Sequence, residues 1–401
     1  MVGAVSKSAG QWAEMPTAED LLSRAAALVP MLREREAATS ESRQVPAETI
    51  DAFTEAGFFR VLQPRCHGGF EMAPDVYCAI ARRLAEGCMS SAWVYGVVAV
   101  HNWQLALFDP RAAEDVWSSD PDVRISSSYM PCGKVVHVEG GYRLSGRWAF
   151  SSGSEHCDWA ILGVHVPVED GAPDPCNFLV PRSDYKIVDT WNVMGLCGTG
   201  SNDIVVEDAF VPHHRILREM AMFEIDCPGH AVNTGDLYQI PFAQLFNRTV
   251  STTSLGSLKR ALELFKAGMR DKRATYTGQR LANDSAIQEA VAEVALTLGD
   301  LDLRLARDLE ELSRRAASRD WPVERRAELG LSTTSMVSRC VSAIDLLMQF
   351  SGGKAIYRGN PIQRAFLDIH CARAHVANNP IPYARNFGAM AFGAENDCYD
   401  I

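Results

Sequence analysis

Apolar residues recur at helical spacing through the first quarter of the chain. Leu21, Leu22, Ala25, Leu28, Val29 and Leu32 form a stripe between Thr17 and Glu36, and Thr17 with Asp20 makes a capping pair at its start. Pro30 falls inside this segment and is expected to kink it. Pro46–Ala56 reads as a second helix closed by Gly57, and Ala73–Glu86 as a third. Ser90–Leu107 is apolar nearly all round, which predicts a buried helix. His101 and Asn102 are unusual polar residues inside it, and a short helix to Trp117 follows Asp109-Pro110.

Near Pro121 the period changes. From Arg124 to Arg215 the chain is rich in Val, Ile, Gly and Asp, in short runs between turn signals. Strands are expected at Arg124–Ser128, Lys134–Glu139, Tyr142–Phe150, Trp159–His165, Asn177–Pro181, Tyr185–Trp191 and Ser201–Pro212, with tight turns at Gly140-Gly141 and Ser145-Gly146. Their even spacing predicts a small antiparallel barrel or sandwich. Met220–Gln239 is irregular and has the length of a functional loop. Long apolar stripes then return at Leu245–Thr275, Ser285–Arg319, Leu331–Phe350 and Asn360–Ala377, the pattern of an up-and-down helical bundle. The class expected is α+β and mainly α. An N-terminal helical domain (1–120) precedes a β domain (121–218) and a C-terminal four-helix bundle (219–401).

Composition narrows the function. The 401 residues are 47% hydrophobic with a net charge of −11 and no basic stripe, which argues against a nucleic-acid partner. No apolar run approaches the roughly 20 residues of a membrane helix. The N-terminus, with one Lys and no long apolar core, does not resemble a secretory signal. The eleven cysteines are scattered without a C-x-x-C pair, so reduced thiols in a cytoplasmic protein are expected, and no metal site. No G-x-G-x-x-G follows a strand, so no nicotinamide site is expected.

The stretch Gly141–Trp159 holds the candidate chemistry. Ser151, Ser152 and Ser154 surround Gly153, with Trp148 and Phe150 before them and His156 and Trp159 after. Small hydroxyl donors beside flat apolar rings suit a flat aromatic ligand with a polar edge. A β-hairpin with a Ser-rich turn and core aromatics would read the same way.

Longer motifs carry a resemblance. Met194-Gly195-Leu196-Cys197-Gly198-Thr199-Gly200-Ser201 leads into Asp203-Ile204-Val205-Val206 and on to Val211-Pro212. Phe350-Ser351-Gly352-Gly353 precedes Pro361-Ile362-Gln363-Arg364. In order and spacing these resemble the acyl-CoA dehydrogenase superfamily over nearly the whole chain. The dehydrogenases need a carboxylate base, yet Cys371–Pro380 and Val250–Gly256, where the superfamily carries it, hold no Asp or Glu. Val100-His101-Asn102-Trp103, Arg124–Tyr129, Trp148–Gly153 and Arg373–Asn378 resemble instead the oxygenase components of two-component flavin monooxygenases. The likeness is to the hydroxylases of a seco-steroid phenol before those of p-hydroxyphenylacetate.

That resemblance implies hydroxylation of a phenolic ring beside its hydroxyl. The oxygen would come from a flavin hydroperoxide made from O₂ and reduced FMN or FAD, which a separate NAD(P)H:flavin reductase delivers. It implies His101 as the group that takes the phenol proton, with His375 as a second group beside the reacting oxygen. Ser126, Ser127 and Ser128 would end a strand facing the flavin, with Ser126 nearest the chemistry. Ser151 and Ser152 would meet the central ring, and Trp148 and Phe150 would pack around it. Trp93 and Trp103 would be core or pocket wall. Arg273 resembles a phosphate-binding Arg supplied by a neighbouring protomer, and Gly352 and Gly353 are counted with it. A homotetramer follows from that sharing. His370 lies five residues before His375, about 140° round a helix, so the two are no metal pair. His213 and His214 are expected in solvent. The loop Met220–Gln239 and the bundle entrance would set the substrate. A flavin N- or S-oxygenase, a dehydrogenase-like oxidase and a flavin-free binding scaffold are the other readings.

Overall fold

The computed structural model describes residues 15–169 and 171–401, so all but the last residue of the N-terminal stretch Met1–Met15 read for a leader lies outside it. α1 (Ala18–Glu41) starts at the expected capping box: the Thr17 hydroxyl accepts the Asp20 N–H, and the Asp20 carboxylate accepts the Thr17 N–H. The helix continues past Pro30 and beyond its expected end. α2 (Ala47–Glu55), α3 (Pro74–Ala85), α4 (Met89–Leu105) and α5 (Pro110–Trp117) follow. Every residue of α4 is buried, as its all-round apolar sequence requires.

The β layer comprises β1 (Ile125–Val138), β2 (Gly141–Ser151), β3 (Trp159–Val166), β4 (Asp174–Pro181), β5 (Tyr185–Val188), β6 (Asn202–Pro212) and β7 (Ile216–Arg218). They form one seven-stranded sheet in the order β5-β6-β2-β1-β3-β4-β7. Two strands expected at 124–139 are one long strand. Its first part pairs with β3 and its last part with β2, and the register breaks between Ser128 and Gly133. Pro131 sits in that break, where it has no N–H to give a neighbour. The β1–β3 pair is parallel, which corrects an all-antiparallel expectation. β2 folds back along one flank of β1, so β3 returns along the other in the direction of β1. Ser145-Gly146 is not a turn but a register irregularity inside β2.

Two glycines make room for one indole in this layer. A Cβ on Gly133 or Gly146 would stand 2.6 or 2.7 Å from the Trp148 ring. Trp148 fills that hollow, fully buried, and its Nε1–H donates to the Gly163 carbonyl at 2.8 Å.

α6 (Glu219–Glu224) and two short 3-10 turns occupy the segment expected to be an irregular loop. The remaining helices are α7 (Phe242–Arg270), α8 (Ser285–Ser318), α9 (Val323–Thr334), α10 (Met336–Ser351), α11 (Pro361–Arg373) and α12 (Pro380–Ala391). One expected helix at 331–350 is therefore the end of α9 and then α10, divided at Ser335. The helix expected to reach Ala377 stops at Arg373, and His375 caps a separate turn. α7 runs through the middle, packed on α3, α4 and α8 to α11. Its Gly256 allows this, because a Cβ there would stand 2.1 Å from the Arg82 carbonyl oxygen of α3.

The N-terminal helices and the C-terminal bundle share one apolar core, while the β layer holds a second around Trp148, Leu162 and Phe178. No helix among the described residues is long and apolar enough to cross a membrane.

Candidate functional site

α4, the start of β1, the end of β2, α7 and the turn after α11 converge on one aromatic cluster. His101 on α4 approaches the Ile125 carbonyl through Nδ1 at 2.7 Å. A carbonyl only accepts, so the proton sits on Nδ1 and Nε2 keeps a lone pair. That Nε2 is buried without a partner. Burial pushes the His101 pKa down to about 4, against the opposing pull of the Ile125 carbonyl.

His375 holds the other tautomer. Its Nδ1 accepts the Ala377 N–H at 3.1 Å, which leaves a neutral ring with its proton on Nε2. Burial also lowers its pKa. The site thus holds two neutral histidines, one offering a lone pair and one a proton.

Rings connect them. His101 meets Tyr129 edge-on with centroids 6.2 Å apart, and Tyr129 meets Phe246 at 5.1 Å and Phe242 at 5.5 Å. Phe242 stacks between Phe246 and Trp103. Phe246 and Trp93 both lie against His375, at 6.4 and 5.7 Å. Tyr129 donates its phenol proton to Gln104 Oε1 at 2.6 Å. Tyr129, Phe242, Phe246 and Gln104 carried no role in the sequence reading. Tyr129 directly follows the three serines and closes the resembling segment Arg124–Tyr129, which is the signal that marks it.

A hydroxyl chain leaves the cluster through Trp93. Its Nε1–H donates to Ser152 Oγ at 3.2 Å. Ser152 Oγ lies 2.7 Å from Ser201 Oγ, and Ser201 Oγ lies 2.7 Å from Thr199 Oγ1. Thr199 donates to the Leu196 carbonyl at 2.9 Å. Thr199 and Ser201 belong to the Met194–Ser201 motif, whose chemistry the sequence alone did not suggest. The Gly153 N–H donates to the Thr199 carbonyl at 2.9 Å, so this loop braces the corner where β2 ends.

The other expected site residues divide. Ser126 is fully buried beside the Trp159 carbonyl, Ser128 donates to the Ala149 carbonyl at 2.7 Å, and Ser127 is half-buried. Ser151 is buried with an unpartnered Oγ. Trp148 is a correction: its indole is fully buried inside the β core, with no surface left for a ligand. Alternation along β2 could not tell which face packs on the layer's own core. Phe150 stands 61% exposed beside Trp191, at a positive φ of 66°. Arg273 is exposed on the loop after α7 and donates to the Gly278 carbonyl. Lys272 ties that loop to the Ser351 carbonyl beside Gly352 and Gly353. This second group makes no hydrogen bond or ring contact with the histidine cluster among the described residues.

Neighbouring polar residues have structural partners. Asn102 donates to the Phe59 carbonyl, and His370 pairs with Asp345 at 2.7 Å. His214 is no free solvent group, since it meets Asp115 on α5 at 2.7 Å. Glu219 at the start of α6 is raised to about 7 by burial with Asp400 and Asp174 beside it; it acts on Tyr129 through its charge and hydrogen-bonds to no site residue among the described residues.

The residues present fit a flavin. The cluster offers flat ring walls, a hydroxyl chain for a polar edge, and buried polar atoms at His101 Nε2 and Ser151 Oγ that no protein group satisfies. No Asp or Glu hydrogen-bonds to His101, His375 or Ser152 among the described residues, and the segments 250–256 and 371–380 hold no carboxylate.

Residues 19–108 match the family model for the acyl-CoA dehydrogenase N-terminal domain, and residues 249–380 that for the C-terminal domain. The chain is 39% identical over 375 residues to the flavin-dependent monooxygenase oxygenase subunit HsaA of Rhodococcus jostii RHA1, covering 93% of this chain and 98% of the relative. It is 33% identical over 391 residues to the oxygenase component of an FADH₂-dependent resorcinol hydroxylase from Rhizobium sp., covering 94% of each. The crystal structure of a 3-HSA hydroxylase from Rhodococcus sp. RHA1 superposes with a TM-score of 0.91 at 37% identity, over 95% of this chain and 99% of that one. With the fold, these likenesses place the chain in the family of flavin-dependent monooxygenase oxygenase subunits, on an acyl-CoA dehydrogenase framework.

Proposed function

We propose that the protein hydroxylates a phenol at the position beside its hydroxyl group. It would use O₂ and FMNH₂ or FADH₂ from a separate NAD(P)H:flavin reductase. The observation that carries this reading is the buried, neutral His101, whose Nε2 lone pair stands unpartnered among aromatic rings. Reduced flavin with O₂ supplies an electrophilic oxygen; the chain supplies everything else.

A pKa near 4 makes His101 a weak base. It therefore holds the phenol as a hydrogen-bond acceptor and takes the proton only as positive charge develops on the attacked ring. His375 Nε2–H is the complementary donor, suited to an oxygen that gains negative charge. Trp93, Phe242 and Phe246 keep water from the guest. In the sequence Ser126–Ser128 is read at the reacting edge, with Ser126 nearest the chemistry. Ser127, Ser128, Ser151, Ser152 and Phe150 are read around the flavin. Trp148 supports them from within the β core.

The assembly is read as a homotetramer in which Arg273 with the Gly352-Gly353 turn completes a neighbour's cofactor site. Their exposure and their separation from the histidine cluster support this. Eleven unpaired thiols support a reducing, cytoplasmic setting. The segment from α6 to α7 carries Met222, which Gln104 approaches at 3.9 Å, and this supports its reading as the wall that sets the substrate.

Turnover of a panel of phenols under ¹⁸O₂ tests the reading. One labelled oxygen should appear beside the original hydroxyl. His101→Asn should lower the rate by roughly 10²–10⁴-fold. Oxygenation of amines or sulfides alone, indifferent to that substitution, would overturn it.

A further inference from the structure

The hydroxyl chain from Trp93 to Leu196 has a direction. It contains four contacts: Trp93 Nε1 to Ser152, Ser152 to Ser201, Ser201 to Thr199, and Thr199 to the Leu196 carbonyl. The groups bring four protons, one from the indole and one from each hydroxyl. The indole N–H only donates, and the carbonyl only accepts. All four contacts are made together in one arrangement alone. Trp93 gives to Ser152, Ser152 to Ser201, Ser201 to Thr199, and Thr199 to Leu196. Ser152 has then spent its proton and keeps one lone pair free beyond the one that accepts from Trp93.

We propose that Ser201 and Thr199 are positioning residues: they fix Ser152 as a hydrogen-bond acceptor, and through it favour the reduced flavin over the oxidised one. The central ring of reduced flavin carries an N–H, which Ser152 can accept. The same nitrogen in oxidised flavin is a bare acceptor and meets lone pair with lone pair. The selection is set two and three side chains away from the ligand, by Ser201 and Thr199. This inference rests on the reading that Ser152 lies against the flavin ring.

The chain's polarity is open to substitution. Ser201→Ala leaves the Ser152 proton without its acceptor, free for the ligand. Thr199→Val leaves Ser201 to donate to Ser152 instead, with the same effect from a residue that does not touch Ser152. Ser201→Thr keeps a hydroxyl and should keep the polarity.

The experiment measures dissociation constants of the purified protein for oxidised FMN and FAD by fluorescence, and for the reduced forms by anaerobic titration. Wild type and Ser201→Thr should favour the reduced form. The ratio should shrink about tenfold in Ser201→Ala and in Thr199→Val, the usual worth of one hydrogen bond of this kind. The midpoint potential of bound flavin should fall in step, by about 30 mV for a tenfold change in a two-electron couple. If wild type binds both forms and all four proteins share one ratio, the inference fails while the flavin reading stands. If wild type binds neither form, the flavin reading fails and takes the inference with it.

Discussion

His101 owes its free lone pair to a residue outside the ring cluster. The Ile125 carbonyl, at the first residue of β1, fixes the proton on Nδ1 and so turns Nε2 toward a guest. The same burial makes the residue a liability in acid. In the folded chain His101 stays neutral down to about pH 4, while in the unfolded chain it takes a proton below about 6.5. Stability is therefore lost as pH falls from about 6.5 to 4, by roughly 3 kcal/mol from this group. His101→Asn should flatten that part of the curve, measured by denaturant unfolding across the range. At this scale the sequence was partly legible. A lone His in an apolar helix stands out, and so does a run of three serines. The face of Trp148 did not show, because the hollow that takes its indole is made by Gly133, fifteen residues earlier, and Gly146. Nor did the direction of the Ser152 hydroxyl, which is decided by residues on a loop forty-seven or more positions later.

The loop from Met194 to Ser201 is held by α11. A Cβ on Gly195 would stand 2.3 Å from the Leu367 carbonyl oxygen, so the backbones touch there. The next residue, Leu196, has a φ of 52° and donates its N–H to Asp368 at 2.6 Å. The first family motif thus docks on the helix that the second one opens, across 172 residues of sequence. Each motif was legible alone; their docking was not, since nothing local to either segment encodes the other. Burial raises Asp368 to about 7, despite the Leu196 N–H. An acid raised on folding contributes stability that is full at low pH and drains as pH rises, here from about 4 to 7. Asp368→Asn keeps an acceptor and removes the titration. Its stability relative to wild type should therefore rise across that window, by about 4 kcal/mol, in unfolding measured at each pH.

Across the whole molecule, a further pair of exposed apolar groups lies on α8, outside the histidine cluster. Leu296 and Leu303, two turns apart on one face of α8, are 70% and 74% exposed. In the proposed homotetramer this face would be one that the subunits share. Leu296→Glu with Leu303→Glu should lower the sedimentation coefficient toward that of a single chain while leaving the far-UV spectrum unchanged. The β layer shows the opposite care: its edge strands, β5 and β7, are only four and three residues long, so little unpaired backbone is on offer to other chains. At the centre lies β1, hydrogen-bonded on both flanks along different parts of its length. Along Ser126–Ser128 β1 pairs with β3 alone, so the amides there that donate to β3 sit where deuterium from the solvent arrives last. Mass spectrometry of peptides should find them among the slowest to exchange, close to the rate of global opening, with β5 and β7 labelled long before.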